Sequence, residues 1–156
     1  MANRFRGEIP IQLDKERKLR FTANAMVELE DSLGYNPKKI LLRFQKQAEL
    51  AKKLEGTDDT DSKVELAGQI IERDLELSNR EIRSMLWAGL LDNEPNLSIR
   101  KAGELIDMAP GDTEVEKESY VAARVVTAFL SRFVSRSATE AMAKNLGIQE
   151  LEASQT

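Results

Sequence analysis

A chain of 156 residues is long enough for one folded domain, and its 41% hydrophobic residues can supply a core. Aromatic residues account for only 5%, so we expect a core built mainly of Leu, Ile, Val, Ala and Met. The absence of cysteine and histidine excludes disulfides, thiolate catalysis, zinc fingers and imidazole acid–base chemistry, and the net charge of −4 disfavours nucleic acid as a partner.

Two short alternating segments at the start of the chain predict a β-hairpin. The strands are expected in residues 8–13 and 18–22, joined by a polar turn over residues 14–17. Pro10 lacks an N–H group, which places the first strand at a sheet edge. Five apolar residues are predicted to face inward: Ile9, Ile11, Leu13, Leu19 and Phe21. Because a lone hairpin is marginal in water, we expect it to pack on the following helix.

The rest of the chain shows the three- and four-residue apolar spacing of amphipathic helices. Predicted N-caps and starts are Thr22, Asn36-Pro37, Ser78 with Glu81, Ser98, and Thr113 with Glu116. Gly34 is the predicted end of the first helix, and the second is expected to end near Gly56. Further helices are predicted over residues 63–77 and 138–146. The longest helix, to about Val134, has a broad apolar face that predicts a central position.

None of the candidate catalytic or metal sites has the residue spacing or companion residues that its chemistry requires. Glu28, Glu30 and Asp31 share one helical turn, so we interpret them as solvated surface rather than as opposed catalytic carboxylates. The aspartates of the loop over residues 56–62 lack the glycine and glutamate of a calcium loop, and Ser98-x-x-Lys101 lacks companion motifs. We therefore expect no catalytic, cofactor-binding or metal-binding residues, and no enzymatic activity.

A basic opening segment leaves one alternative open. Residues 1–20 hold six basic and three acidic side chains, a local charge of +3, which a solvated hairpin explains best. A helical regulator that binds nucleic acid through this segment is the competing hypothesis. No apolar run approaches the roughly 20 residues of a membrane span, and the first residues form no signal-peptide core, so we expect a cytoplasmic protein without a membrane partner.

Three stretches together resemble the tail assembly chaperones of long-tailed phages and gene transfer agents. They are Leu19-Arg20-Phe21-Thr22 at the end of the hairpin, the helix from Ala25 to Gly34, and the helix from Ile82 to Leu91. The pattern along the chain predicts a mainly α protein with a small N-terminal β-hairpin packed on a compact multi-helix domain, and the resemblance agrees with it. This single domain would cover residues 1–146, with the hairpin at 8–22 and helices over 23–146, followed by a flexible tail over 147–156.

The resemblance also implies a function. Such chaperones bind the tape measure protein, keep this long helical chain soluble, help recruit tail tube subunits, and leave before the tail is complete. We accordingly expect this protein in the host cytoplasm and not in the mature virion, with a second copy of itself as a further partner. The alternative is a minor structural or connector protein of the phage tail. Candidate protein-binding residues are Ile9 and Ile11 at the hairpin edge, together with Met85, Trp87 and Leu90; the alternative for each of them is a place in the core.

Overall fold

The computed structural model describes residues 8–55 and 77–134 and shows a mainly α-helical protein with a small antiparallel hairpin, as predicted. The elements are β1 (Ile9–Gln12), β2 (Glu16–Leu19), α1 (Ala23–Leu33), α2 (Lys38–Glu55), α3 (Asn79–Leu90), α4 (Ile99–Ile106) and α5 (Glu114–Ser131). The helix predicted over residues 63–77 lies outside the described residues except for Leu77, which is not helical. The helix over 138–146 and the tail over 147–156 also lie outside them.

The chain divides into two compact units. One combines Met1–Gly34 with Ser78–Thr156, and the other is Tyr35–Leu77. The first unit holds the hairpin, α1, α3, α4 and α5, whereas the second holds α2. The single domain expected over residues 1–146 stays a prediction.

The hairpin in the first unit differs from its predicted boundaries. β2 begins at Glu16 and ends at Leu19, so the strand includes part of the expected turn. Ile9 lies opposite Leu19, and Ile11 lies opposite Arg17. The strand starts early because Arg17 is buried on the inward face, where the sequence analysis places a polar turn.

Helix boundaries in the first unit follow the predicted caps. The Thr22 hydroxyl accepts a hydrogen bond from the Ala25 N–H at the start of α1. Gly34 ends α1 with a φ of 81°, a conformation that glycine adopts without steric cost. Ser78 and Glu81 form the complete reciprocal capping box that begins α3.

The N-terminus of α5 departs from the predicted capping box. Thr113 accepts the Glu116 N–H, but the Glu116 carboxylate accepts the Asp112 N–H, one residue before the N-cap. Gly111 has a φ of 137°, and a Cβ there would lie only 2.8 Å from the Glu116 Cβ. The glycine therefore lets the chain turn closely around the side chain of Glu116.

Helix α3, rather than α5, is the central helix of the first unit. It contacts α1, α4, α5 and β2, whereas α5 contacts α3, α4 and β1. The hairpin thus packs on α3 and α5, and the prediction that it packs on the following helix, α1, is wrong. Eight of the 12 residues of α3 are buried, compared with five of 18 in α5. The broad apolar face of α5 made it the predicted centre. Small residues favour α3 in the central position instead, because Ser84, Ala88 and Gly89 allow neighbouring elements to approach it closely.

The core of the first unit is mainly aliphatic, as predicted, with one aromatic group. Phe21 and Phe129 meet edge to face with ring centroids 5.7 Å apart, and Phe133 lies 5.3 Å from Phe129. The Phe21 contact joins the chain after β2 to the C-terminal half of α5. Such aromatic pairs add about 0.5–1.5 kcal/mol beyond the area that they bury.

The second unit begins as the sequence predicts. The Asn36 side chain accepts a hydrogen bond from the Lys38 N–H, and the Ile40 N–H donates to the Pro37 carbonyl. Helix α2 then runs to Glu55, next to the expected end at Gly56. Near its start, the Lys39 ammonium group lies 5.7 Å from the centre of the Tyr35 ring.

Candidate protein-binding cleft

Four of the five predicted protein-binding residues lie inside the fold. Ile9, Ile11, Met85 and Leu90 have almost no exposed surface. Trp87 is half-buried, and its indole N–H donates to the Leu97 carbonyl at 2.8 Å, which anchors the segment between α3 and α4. A buried side chain contacts a partner only after the fold opens, so the binding role of these residues stays a prediction.

The outer edge of β1, where Ile9 and Ile11 are predicted to bind a partner protein, is covered by α5. The Gln12 N–H donates to the Tyr120 hydroxyl at 3.0 Å, and the Arg124 guanidinium donates to the Pro10 carbonyl at 3.1 Å. Alternate residues of an antiparallel strand direct their backbone groups away from the partner strand. These two bonds therefore satisfy edge groups that would otherwise be open to a further strand.

The outer edge of β2 is covered by the end of α3. The Arg20 N–H donates to the Gly89 carbonyl at 2.8 Å, and the Asn93 amide donates to the Lys18 carbonyl at 3.4 Å. A Cβ on Gly89 would lie 2.9 Å from Leu19 Cδ2, so this close approach requires glycine. Backbone groups on both outer edges of the hairpin thus bond to α5, to α3 and to the loop after α3 rather than to a further strand.

The buried side chain of Arg17 forms an ion-pair cluster with two partly exposed carboxylates, which the sequence alone does not predict. Its guanidinium donates to both carboxylate oxygens of Asp14 and also contacts the Glu94 carboxylate. The hydrogen bond from Arg17 lowers the pKa of Asp14 to about 2, and the same bond raises the pKa of Arg17 above its usual range. The cluster ties the hairpin turn to the loop after α3.

Neighbouring basic residues of the hairpin are also paired. Lys18 lies 3.6 Å from the Glu8 carboxylate, and Arg20 lies 3.5 Å from the Asp92 carboxylate. With Arg17 neutralised as well, three of the side chains that favoured an anionic partner already face carboxylates. This pairing reduces the positive charge that the hypothesis of a nucleic-acid-binding regulator requires.

A cleft between α3, α4 and α5 is the strongest candidate site in the first unit. It has a volume of about 310 Å³ and combines apolar atoms of Ile82 and Ile106 with charged side chains. Its lining residues are Asn79, Arg80, Ile82, Arg83, Gly103, Ile106, Asp107, Glu114 and Glu118. Gly103 brings α4 close to α3, since a Cβ there would lie 3.3 Å from Arg83 Cδ.

Charges of both signs line this cleft without neutralising one another. Arg83 comes from α3, whereas Glu114 and Glu118 lie one turn apart on α5. None of these three side chains forms an ion pair or a hydrogen bond with another residue in the described part of the chain. Arg80 is engaged, because its guanidinium donates to the Ser32 carbonyl at the end of α1. The cleft therefore presents unpaired charges of both signs.

Exposed apolar side chains adjoin the cleft along the chain. Met108 follows the lining residue Asp107 and is 48% exposed, and Val115 follows Glu114 and is 70% exposed. Consecutive Cα atoms are 3.8 Å apart, so the backbone of both residues lies next to a lining residue of the cleft. A protein-binding surface combines an apolar centre with a polar rim, and the apolar atoms of Ile82 and Ile106 with the surrounding charged side chains supply both kinds of group here.

Other kinds of site find little support in the described residues. Within residues 8–55 and 77–134, no group of three or more acidic side chains is placed to hold a metal ion. Among the helices that the structure describes, none is long and apolar enough to cross a membrane. Glu28, Glu30 and Asp31 are exposed on α1, as predicted.

Comparison with protein-family models, curated proteins and solved structures finds no match for this chain.

Proposed function

We propose that this protein is a non-enzymatic tail assembly chaperone that binds the tape measure protein of a long-tailed phage. It keeps this client soluble and helps recruit tail tube subunits. The observation that carries the proposal is the cleft between α3, α4 and α5, which combines unpaired charges with apolar atoms of Ile82 and Ile106 and has the exposed Met108 and Val115 next to its lining residues in the sequence. A stoichiometric binding protein needs such a surface and needs no catalytic group.

The architecture of the first unit is compatible with this role. The three stretches that resemble the chaperone family form the end of the hairpin, α1 and α3, and both β2 and α1 pack on α3. Because backbone groups on both edges of the hairpin are already hydrogen-bonded, we expect the client to bind a helix surface rather than to add a strand to the hairpin. We place the protein in the host cytoplasm, outside the mature virion.

Co-expression with the tape measure protein of the same genome tests the proposal. We expect the soluble fraction of the tape measure protein to increase, and the two chains to purify together. A chain with matched length and charge but unrelated sequence serves as the control. Unchanged solubility of the tape measure protein, with no co-purification, would contradict the proposed function.

Mass spectrometry of purified particles tests the expected departure of the chaperone. We expect peptides of the tape measure protein in mature virions and none from this chain. Stoichiometric amounts of this chain in mature particles would instead identify a structural or connector protein of the tail.

A further inference from the structure

The cleft between α3, α4 and α5 has a charge arrangement that defines its occupant. We propose that it binds one face of a client helix on which an apolar residue is flanked, four positions away on either side, by an acidic and a basic residue. This inference rests on the proposed function, which supplies a helical client, and it adds the chemistry by which that client is recognised.

The size of the cleft limits what enters it. A volume of about 310 Å³ corresponds to on the order of ten water molecules and lies at the lower end of the range for ligand pockets. Such a space accepts one or two side chains of a partner. Ile82 and Ile106 supply the apolar atoms against which a client side chain packs.

The charges of the cleft fix the neighbours of that apolar side chain. Arg83 attracts an acidic residue, whereas Glu114 and Glu118 attract a basic one. Asp107, at the end of α4, adds to the negative side. Because these charges have no partners among the described residues, a client satisfies them without breaking an existing ion pair.

A helix presents the required sequence on one face. Residues four positions apart on a helix are neighbours, so Glu-x-x-x-Leu-x-x-x-Lys places all three side chains along one stripe. The stripe spans about two turns, or roughly 11 Å. Met108 and Val115, which follow the lining residues Asp107 and Glu114 in the sequence, are exposed apolar side chains available to the same helix.

Fluorescence anisotropy with labelled alanine-rich peptides tests this inference on the full chain. The probe carries Glu-x-x-x-Leu-x-x-x-Lys, and a matched peptide carries Gln in place of both charged residues. We expect the charged probe to bind on the order of fivefold more tightly, since each exposed pair contributes modestly. A third peptide with a central proline breaks the helix and is expected to bind more weakly than either.

Charge-reversal variants locate the binding to the cleft. Arg83→Glu and Glu118→Lys should each remove most of the advantage of the charged probe. Arg100→Glu and Glu28→Lys reverse the same charges at exposed positions outside the cleft, and they should leave that advantage unchanged. Circular dichroism and thermal unfolding verify that every variant is folded.

Several results would overturn the assignment. One is equal affinity for the charged and Gln peptides, or no binding of either. Another is a proline peptide that binds as tightly as the charged probe. A third is an equal effect of the cleft variants and the control variants on the advantage of the charged probe. If the tape measure protein still co-purifies in any of these cases, the proposed function stands and only the cleft is wrong. Loss of co-purification from the unmodified chain would instead contradict the function itself.

Discussion

Arg17 illustrates how one charged side chain is accommodated inside this small fold. Its guanidinium is buried beneath the hairpin turn and is held by the carboxylates of Asp14 and Glu94. Removing one partner of a buried ion pair is costly because the remaining charge is left without compensation. Arg17 therefore fixes the turn to the loop after α3 rather than attracting an anionic partner.

Acid should weaken this cluster in a defined pH range. The pKa of Asp14 falls from 3.8 to about 2 in the folded protein, so its contribution is complete above pH 3.8 and is lost as the pH falls through about 2. Asp14→Asn should lower the free energy of unfolding at pH 7 by about 1 kcal/mol, after allowance for solvent screening. Urea unfolding at several pH values measures the difference between the two proteins.

That difference between wild type and Asp14→Asn should shrink between pH 4 and pH 2. Asp31→Asn is the matched control, because Asp31 is an exposed aspartate on α1. We expect the control to match the wild type at pH 7. A difference for Asp14→Asn that persists unchanged to pH 2 would refute the account of Arg17 and Asp14.

Residue-scale features divide into those that the sequence predicts and those that it does not. The caps at Thr22, Ser78 and Ser98 were predictable, because each depends on residues within three positions. The pairing of Arg17 with Glu94 joins residues 77 positions apart, and no local pattern signals it. Repeated basic residues in the hairpin indicated surface charge, and only the folded chain shows which of them are paired.

The packing of the hairpin on α3 is the element-scale feature that depends most on one residue. Gly89 lies in α3, directly beneath Leu19 and Phe21 of the hairpin segment. Gly103 is also a helical glycine, but its neighbour is the exposed side chain of Arg83. The two glycines share the same intrinsic helix penalty and differ in what surrounds them.

Substituting each glycine with alanine separates packing from helix propensity. Gly103→Ala should raise the free energy of unfolding by about 0.5–1 kcal/mol, because Arg83 can shift and the helix gains propensity. Gly89→Ala should lower it by about 1–3 kcal/mol, because the added methyl group overlaps the buried Leu19 side chain. Thermal and urea unfolding measure both changes. A stabilising Gly89→Ala would show that the hairpin does not pack closely on α3.

Element types were predictable where the hydrophobic period was clear, as in the hairpin and in α1, α3, α4 and α5. The central position of α3 was not, since it depends on small residues that let four elements approach. The cleft was missed for a related reason. Arg83, Gly103 and Glu118 lie on three different helices, and their meeting depends on tertiary packing that the periodicity of each helix does not contain.

At the scale of the whole molecule, the proposed function depends on surfaces that bind a partner rather than on reactive groups. The chain carries no histidine or cysteine, and the basic side chains of Arg17, Lys18 and Arg20 are paired with carboxylates within the fold. Large apolar side chains nevertheless remain exposed among the described residues: Val27, Leu42, Met108, Val115 and Val134. The proposed function uses two of these residues, Met108 and Val115, which follow lining residues of the cleft along the chain.

Light scattering after size-exclusion chromatography of purified protein mixed with purified tape measure protein tests this central claim most directly. The account predicts a soluble complex of defined stoichiometry that forms without any small-molecule cofactor, and whose amount falls for the cleft variant Glu118→Lys but not for the control Glu28→Lys. If the two proteins elute separately at concentrations where each is soluble, this chain is not a chaperone of the tape measure protein.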